Sequence, residues 1–174
     1  MPWRVPLGRR DGRVSLRQNV INLPSFSINA SIPDLLNSFR ALGFSMEEFV
    51  ALVGGHTIGT ASCGLTADGS CPGLLQRVAL DTGSQFAFDN SIFSNILNDR
   101  GVLYVDQSLS LSDITRPVVE LFVNDKDAFN TEFERAMIKM SNIGLKTFPN
   151  GEIRRRCSAI NQMSNITLIN NAGD

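Results

Sequence analysis

Glu48-Phe49-Val50-Ala51-Leu52-Val53-Gly54-Gly55-His56-Thr57-Ile58-Gly59 reads as an apolar helix that runs into the only histidine of the chain. Ser45 and Glu48 stand in the S-x-x-E arrangement of a capping box, which satisfies the first free backbone donors and starts the helix at Ser45. Phe49, Val53 and His56 then fall at i, i+4 and i+7 on one face, so the imidazole is expected to point where two large apolar side chains point. Gly54 and Gly55 remove side-chain bulk beside it, leaving room for a flat group to approach the backbone. One imidazole is too few for a multi-histidine metal centre but suffices as the axial ligand of a haem. The same residue also reads as a hydrogen-bonded core histidine. Gly54-Gly55-x-x-x-Gly59 makes a poor phosphate loop, because it follows a capped helix rather than a strand and lacks the G-x-G-x-x-G spacing.

Outward from this stretch the pattern is almost wholly helical. Pro33 at an N1 position opens a short helix through Leu42, with Gly43 as its C′ residue. Residues 62–88 are rich in Gly, Ser, Thr and Asp with little period and read as a structured loop. Asn90 to Arg100 is helical, with Ile92, Phe93, Ile96 and Leu97 on one face and Gly101 as its stop. Further helices are expected over Pro117 to Val123 and Asp125 to Ile143. The second carries Phe129, Phe133, Met137 and Met140 as a core stripe and ends at Gly144. No internal repeat or linker interrupts the chain.

The 174 residues, 43% of them apolar, suffice for one domain with a substantial core. The net charge of −1 gives no basic footprint, so no nucleic-acid partner is expected. No apolar run reaches the roughly eighteen residues that a spanning helix needs, so no membrane partner is expected either. Met1-Pro2-Trp3-Arg4-Val5-Pro6 lacks the apolar core of a signal peptide. The three cysteines are an odd count, and an exported chain would need a further partner for one of them. Cys63 and Cys71 flank a Gly-containing loop flexible enough to close a bridge. Asn29-Ala30-Ser31 and Asn165-Ile166-Thr167 are glycosylation sequons.

The histidine stretch, with Cys63 seven residues beyond His56, resembles the proximal haem-ligand motif of plant secretory (class III) peroxidases. Other segments agree in the family's order. They are Val5-Pro6-Leu7-Gly8-Arg9-Arg10-Asp11-Gly12, Leu23-Pro24, Phe88-Asp89-Asn90, Gly101-Val102-Leu103 with Asp106-Gln107-Ser108-Leu109, and Gly151-Glu152-Ile153-Arg154-x-x-Cys157. The resemblance covers residues 3–157 and implies an all-α fold, the proximal lobe of the haem peroxidase, over residues 1–157, with 158–174 as a loosely ordered tail. It implies haem b with its iron as cofactor, hydrogen peroxide and small phenolic donors as substrates, and a secreted or vacuolar location. The family's distal R-x-x-F-H-D-C motif is not in this sequence. The expectation is therefore a truncated peroxidase, with a distal lobe in trans as a partner. A non-catalytic haem- or partner-binding remnant is the alternative.

The same resemblance assigns site residues. His56 becomes the axial iron ligand, and Asp106 the carboxylate that accepts from its Nδ1–H, which would make the ring a stronger donor. Taken without the resemblance, Asp106 reads as an N-cap, since it precedes Gln107 to Leu109 in a turn. Thr57, Asp81, Ser84 and Asp89, with Ala87 between them, match the family's structural calcium site, and hard oxygen ligands are what Ca2+ requires. Ser84 stands where the family has threonine and Gln85 where proline is common, and Asp89 also reads as the N-cap of the next helix. Pro24 matches the residue at the reducing-substrate entrance. Cys63 matches a cysteine that pairs further along, at a longer spacing than is found here, and Cys157 one whose partner lies in the family's other half, so it is expected to be unpaired.

Overall fold

A computed structural model of the protein describes residues 3–22, 30–66 and 76–161. Among the described residues six α-helices carry the fold: α1 (Ile32–Ala41), α2 (Met46–Gly54), α3 (Ser91–Leu97), α4 (Tyr104–Leu111), α5 (Arg116–Asn124) and α6 (Lys126–Met140). A two-stranded antiparallel ribbon, β1 (Thr60–Ser62) with β2 (Arg77–Ala79), pairs Ala61 with Val78; β2 lies inside the stretch 62–88 read from sequence as loop, and β1 runs into its start. Three-residue strands are too short to show the alternation that marks a strand in sequence. The architecture is all-α, and no described helix is long and apolar enough to cross a membrane.

Helix ends follow local chemistry. Ser31, not Pro33, opens α1: its hydroxyl accepts from Asp34 N, and Pro33 sits in the first turn, where its missing N–H costs nothing. The expected capping box of α2 is present, with Glu48 N donating to Ser45 Oγ at 3.1 Å and Ser45 N donating to Glu48 Oε2 at 2.7 Å. Gly43 turns the chain between α1 and α2 at φ +87°, a conformation that a side chain would strain. Asp125 caps α6 by accepting from Ala128 N at 2.8 Å.

The core lies where α2 packs along α6 and α3 closes over α5. Phe49, Phe93, Phe122 and Phe129 are completely buried, each burial being worth about 1.5–3 kcal/mol. Phe93 lies tilted at 5.2 Å from Phe122 and edge-on at 5.0 Å from Phe129. The stripe of α6 departs from its expected form. Phe129 and Ala136 are the buried members, and Met140, the last residue of α6, is 42% exposed.

Beyond α6 the chain returns to the N-terminal strap, where Asp11 and Glu152 form an antiparallel bridge with both backbone bonds made, at 2.8 and 2.9 Å. Residues 158–161, expected to begin the loose tail, are tied back through Asn161, whose N donates to Glu152 Oε1 and whose Nδ2 donates to Ile153 O. Residues 162–174 lie outside the described residues, as do Pro24, Asn29, Cys71 and Asn165. Cys157 is free and exposed, as expected, and Cys63 is disulfide-bonded.

Candidate functional site

α2 ends at Gly54, and the chain tightens into a 3-10 turn, Gly55–Thr57, that carries His56. The tightening separates residues expected to share one face. Phe49 and Val53 enter the core, while the His56 side chain remains 36% exposed. The two glycines also serve a purpose other than the one read from sequence. A Cβ on Gly54 would stand 2.5 Å from Phe93 Cζ and 2.8 Å from Phe129 Cε2, and one on Gly55 would stand 3.1 Å from Phe133. Their missing side chains admit core aromatic rings.

The imidazole is divided between two environments. Its Nδ1 stands 2.8 Å from Oδ1 of Asp106, a fully buried carboxylate whose Oδ2 accepts from Leu103 N at 3.3 Å. An ionised carboxylate only accepts, so Nδ1 carries the hydrogen and Nε2 of the neutral ring keeps its lone pair. Among the described residues nothing hydrogen-bonds to Nε2. Burial works against the charged imidazole, but the hydrogen bond and the negative charge of Asp106 outweigh it and hold the pKa above the ordinary 6.5. Asp106 is thus not an N-cap. It lies in the first turn of α4, a helix that the sequence reading had reduced to a turn, and it bonds both to the helix start and to the histidine.

The oxygen set assembles beside this turn. Thr57, the residue after His56, donates from Oγ1 to Asp81 Oδ2 at 2.8 Å. Ser84 donates to the same oxygen at 3.0 Å and to Asp89 Oδ1 at 3.3 Å. Two residues missed from sequence complete the shell: Ser91 Oγ donates to Asp81 Oδ2 at 2.6 Å, and Asn95 Nδ2 to Asp81 Oδ1 at 2.6 Å. They sit one turn apart on α3, opposite the Ile92, Phe93, Ile96 stripe, and that polar i, i+4 pair was the available signal. Asp89 precedes the N-cap Asn90 but accepts from Ser91 N at 2.8 Å. Burial raises the Asp89 pKa, while the Ser91 and Ser84 bonds and the charge of Lys126 lower it further, for a net fall below 3.8.

Asp81 is fully buried and forms no ion pair with any described residue, so its charge is met by dipoles alone. Among the described residues no three of His, Cys, Asp and Glu converge as a metal centre, and this shell holds two carboxylates with neutral oxygens around them. That composition suits a hard cation that takes hydroxyl and carbonyl oxygens. The free Nε2 of His56 suits haem iron in the same sense. Large apolar side chains also reach the surface nearby in the chain, at Ile58 and at Phe86, which is 88% exposed and follows Gln85, whose carbonyl accepts from Gly59 N at 3.1 Å.

The peroxidase family profile matches residues 1–125. The chain belongs to the plant haem peroxidase family. It is 44% identical to Peroxidase 71 of Arabidopsis thaliana over 186 positions that take in 91% of this chain and 56% of that one. Against Peroxidase 62 of the same plant the identity is 46%, over 91% of this chain and 58% of the relative. Against Peroxidase N1 of Nicotiana tabacum it is 40%, over 92% and 58%. This family member therefore spans a little over half the length of the curated relatives it matches.

Proposed function

We propose that this chain provides the haem-ligating side of a peroxidase, with His56 as the axial ligand and Asp106 as the carboxylate that sets its donor strength. The reaction it serves is the reduction of hydrogen peroxide coupled to one-electron oxidation of small aromatic donors such as phenols. The observation that carries this reading is the divided imidazole, in which Nδ1 is committed to a buried carboxylate and Nε2 has no partner. Haem b, when bound, supplies the redox chemistry toward peroxide. Asp106 keeps the proton on Nδ1, prevents rotation of the ring and makes Nε2 a stronger donor. Thr57, Asp81, Ser84 and Asp89 are proposed to hold a Ca2+ that braces the turn bearing His56, because Thr57 links that turn directly to Asp81. Pro24 is proposed at the approach of the reducing substrate. A secreted or vacuolar location belongs to the same reading and is supported by the disulfide at Cys63, which persists in oxidising compartments.

The one histidine is used as a ligand, so this chain offers no second imidazole to move protons at peroxide. Positioned acid-base catalysis contributes about 100- to 10,000-fold. The test is peroxide-dependent oxidation of a phenol by the haem-loaded chain, measured beside free haem and beside His56→Ala. The expected result is turnover that depends on His56 and exceeds that of free haem by much less than the roughly 100- to 10,000-fold of positioned acid-base catalysis. Equal turnover by wild type and His56→Ala would overturn the reading.

A further inference from the structure

Tyr104 is the only tyrosine among the 174 residues. It opens α4 and is 46% exposed, and its side chain makes no hydrogen bond or ring contact among the described residues. A phenol at the surface belongs to the class of donors that the proposed reaction consumes, so the chain carries a substrate of that class on itself. Its position is close to the chemistry. Two residues on, Asp106 Oδ1 meets His56 Nδ1 at 2.8 Å, and Asp106 Oδ2 accepts from the N–H of Leu103, the residue before Tyr104, at 3.3 Å. Less than one turn of backbone and one hydrogen bond therefore join the phenol to the imidazole.

The surface around Tyr104 suits an uncharged aromatic ring. Tyr104, Ser108 and Leu111 follow at i, i+4 and i+7 on one face of α4. Leu111 is 72% exposed, and Ser108 donates its hydroxyl to Tyr104 O at 2.7 Å instead of presenting it to a neighbour. α4 has no lysine, arginine or glutamate, and its one acid, Asp106, is fully buried. The other readily oxidised ring, the sole tryptophan Trp3, is only half-exposed and meets Phe133 edge-on at 6.0 Å. Coupling needs an open ring carbon as well as an electron to give, and Tyr104 has both.

We propose, on the reading of His56 as haem ligand, that Tyr104 is a site of oxidative coupling through which the chain becomes covalently joined to a phenol. Tyr104 gives up one electron and its hydroxyl proton, and a second phenol does the same. The two phenoxyl radicals join by a new bond between ring carbons ortho to the oxygens. The hydrogens on those carbons shift to the oxygens and restore both phenols. In all, two electrons and two protons pass to hydrogen peroxide, whose O–O bond breaks to give two waters. The second phenol is a small aromatic donor or Tyr104 of another copy, and a single tyrosine limits the chain to one point of attachment.

The probe is tyramine with hydrogen peroxide. In one arm a complete plant peroxidase acts on the haem-free chain, and in the other the haem-loaded chain acts alone. Peptides are read by mass spectrometry after reduction, which removes disulfide dimers formed through the exposed Cys157. Both arms should place tyramine, less two hydrogens, on the Tyr104 peptide, and peroxide without tyramine should give a dimer that survives reduction. Tyr104→Phe should lose adduct and dimer with no change in its unfolding midpoint, because the hydroxyl has no partner. Phe148→Tyr on that background moves the phenol to an 81% exposed position on the loop after α6. It should be labelled in the first arm, but the haem-loaded variant with peroxide alone should dimerise several-fold more slowly than wild type. The proposal is overturned if the first arm leaves Tyr104 unmodified, if adducts fall as often on Trp3 or Cys157, if Tyr104→Phe dimerises as wild type does, or if the phenol at position 148 dimerises as fast. A haem-loaded arm that yields nothing is resolved by the Soret band. With a His56-dependent band it overturns the proposal; without one the reading of His56 fails, and self-oxidation of Tyr104 fails with it.

Discussion

Nδ1 of His56 stands 2.8 Å from Oδ1 of Asp106, fifty residues further along the chain, and the carboxylate is fully buried. Two short elements create this pair. A 3-10 turn carries the ring beyond the end of α2, and the first turn of α4 presents the carboxylate. In the metal-free protein Asp106→Asn should lower the pKa of His56, since it removes the acceptor and the charge that outweigh burial. An imidazole C–H titration by NMR reads this directly. In the haem-loaded protein the same variant should raise the ferric/ferrous potential. If neither quantity moves, Asp106 serves only the start of α4.

Acid stability should depend on Glu48. Its carboxylate is 2% exposed, bonded to Ser45 N at 2.7 Å and paired with Lys139 Nζ at 2.5 Å. Burial raises its pKa, but the Lys139 and Ser45 bonds and the charges of Lys139 and Arg135 lower it more, and the net result lies below 4.5. A depressed carboxylate contributes stability that is present above its unfolded value and lost as pH falls through the folded one. Glu48→Gln should cost about 2–3 kcal/mol at pH 7 and progressively less below pH 4.5, as read from denaturation midpoints across pH. A penalty independent of pH would contradict this.

Gly54→Ala tests what the glycine pair is for. The added methyl would enter between Phe93 and Phe129 at under 3 Å, and overpacking of that kind costs about 1–3 kcal/mol. The corresponding change at Gly55 meets only Phe133, at 3.1 Å, and should cost less. Equal midpoints for Gly54→Ala and wild type would show that the core yields freely there.

Calcium should stabilise the fold. A ligand held only by the native state adds about 2.7 kcal/mol at one hundred times its Kd. Calorimetry should detect binding in wild type and not in Asp81→Asn with Asp89→Asn, and chelation should lower the wild-type melting temperature. Unaltered Ca2+ binding in the double variant would remove these residues as ligands.

Most helices were legible because caps and breakers are local signals. Ser45 with Glu48, Asp125 and Gly43 act within one turn of where they stand. The pieces that escaped depend on distant partners. α4 lacks a capping hydroxyl at Leu103 and is held by Asp106, whose other oxygen binds a histidine fifty residues away. The β1–β2 ribbon rests on three-residue strands without visible alternation. Ser91 and Asn95 escaped because their polar face is explained only by a buried Asp81 from another segment. Gly54 was read as space for a ligand when the space is taken by Phe93 and Phe129, and no local pattern distinguishes the two uses.

The assignment of His56 as the axial ligand is tested most directly by titrating ferric haem into wild type and His56→Ala while following the Soret band. The free Nε2 predicts saturable uptake by wild type, with affinity falling as pH drops through the raised His56 pKa because a protonated ring cannot ligate. His56→Ala should lose most of that affinity and all of its pH dependence. Equal affinity and equal pH profiles for the two proteins would contradict the assignment.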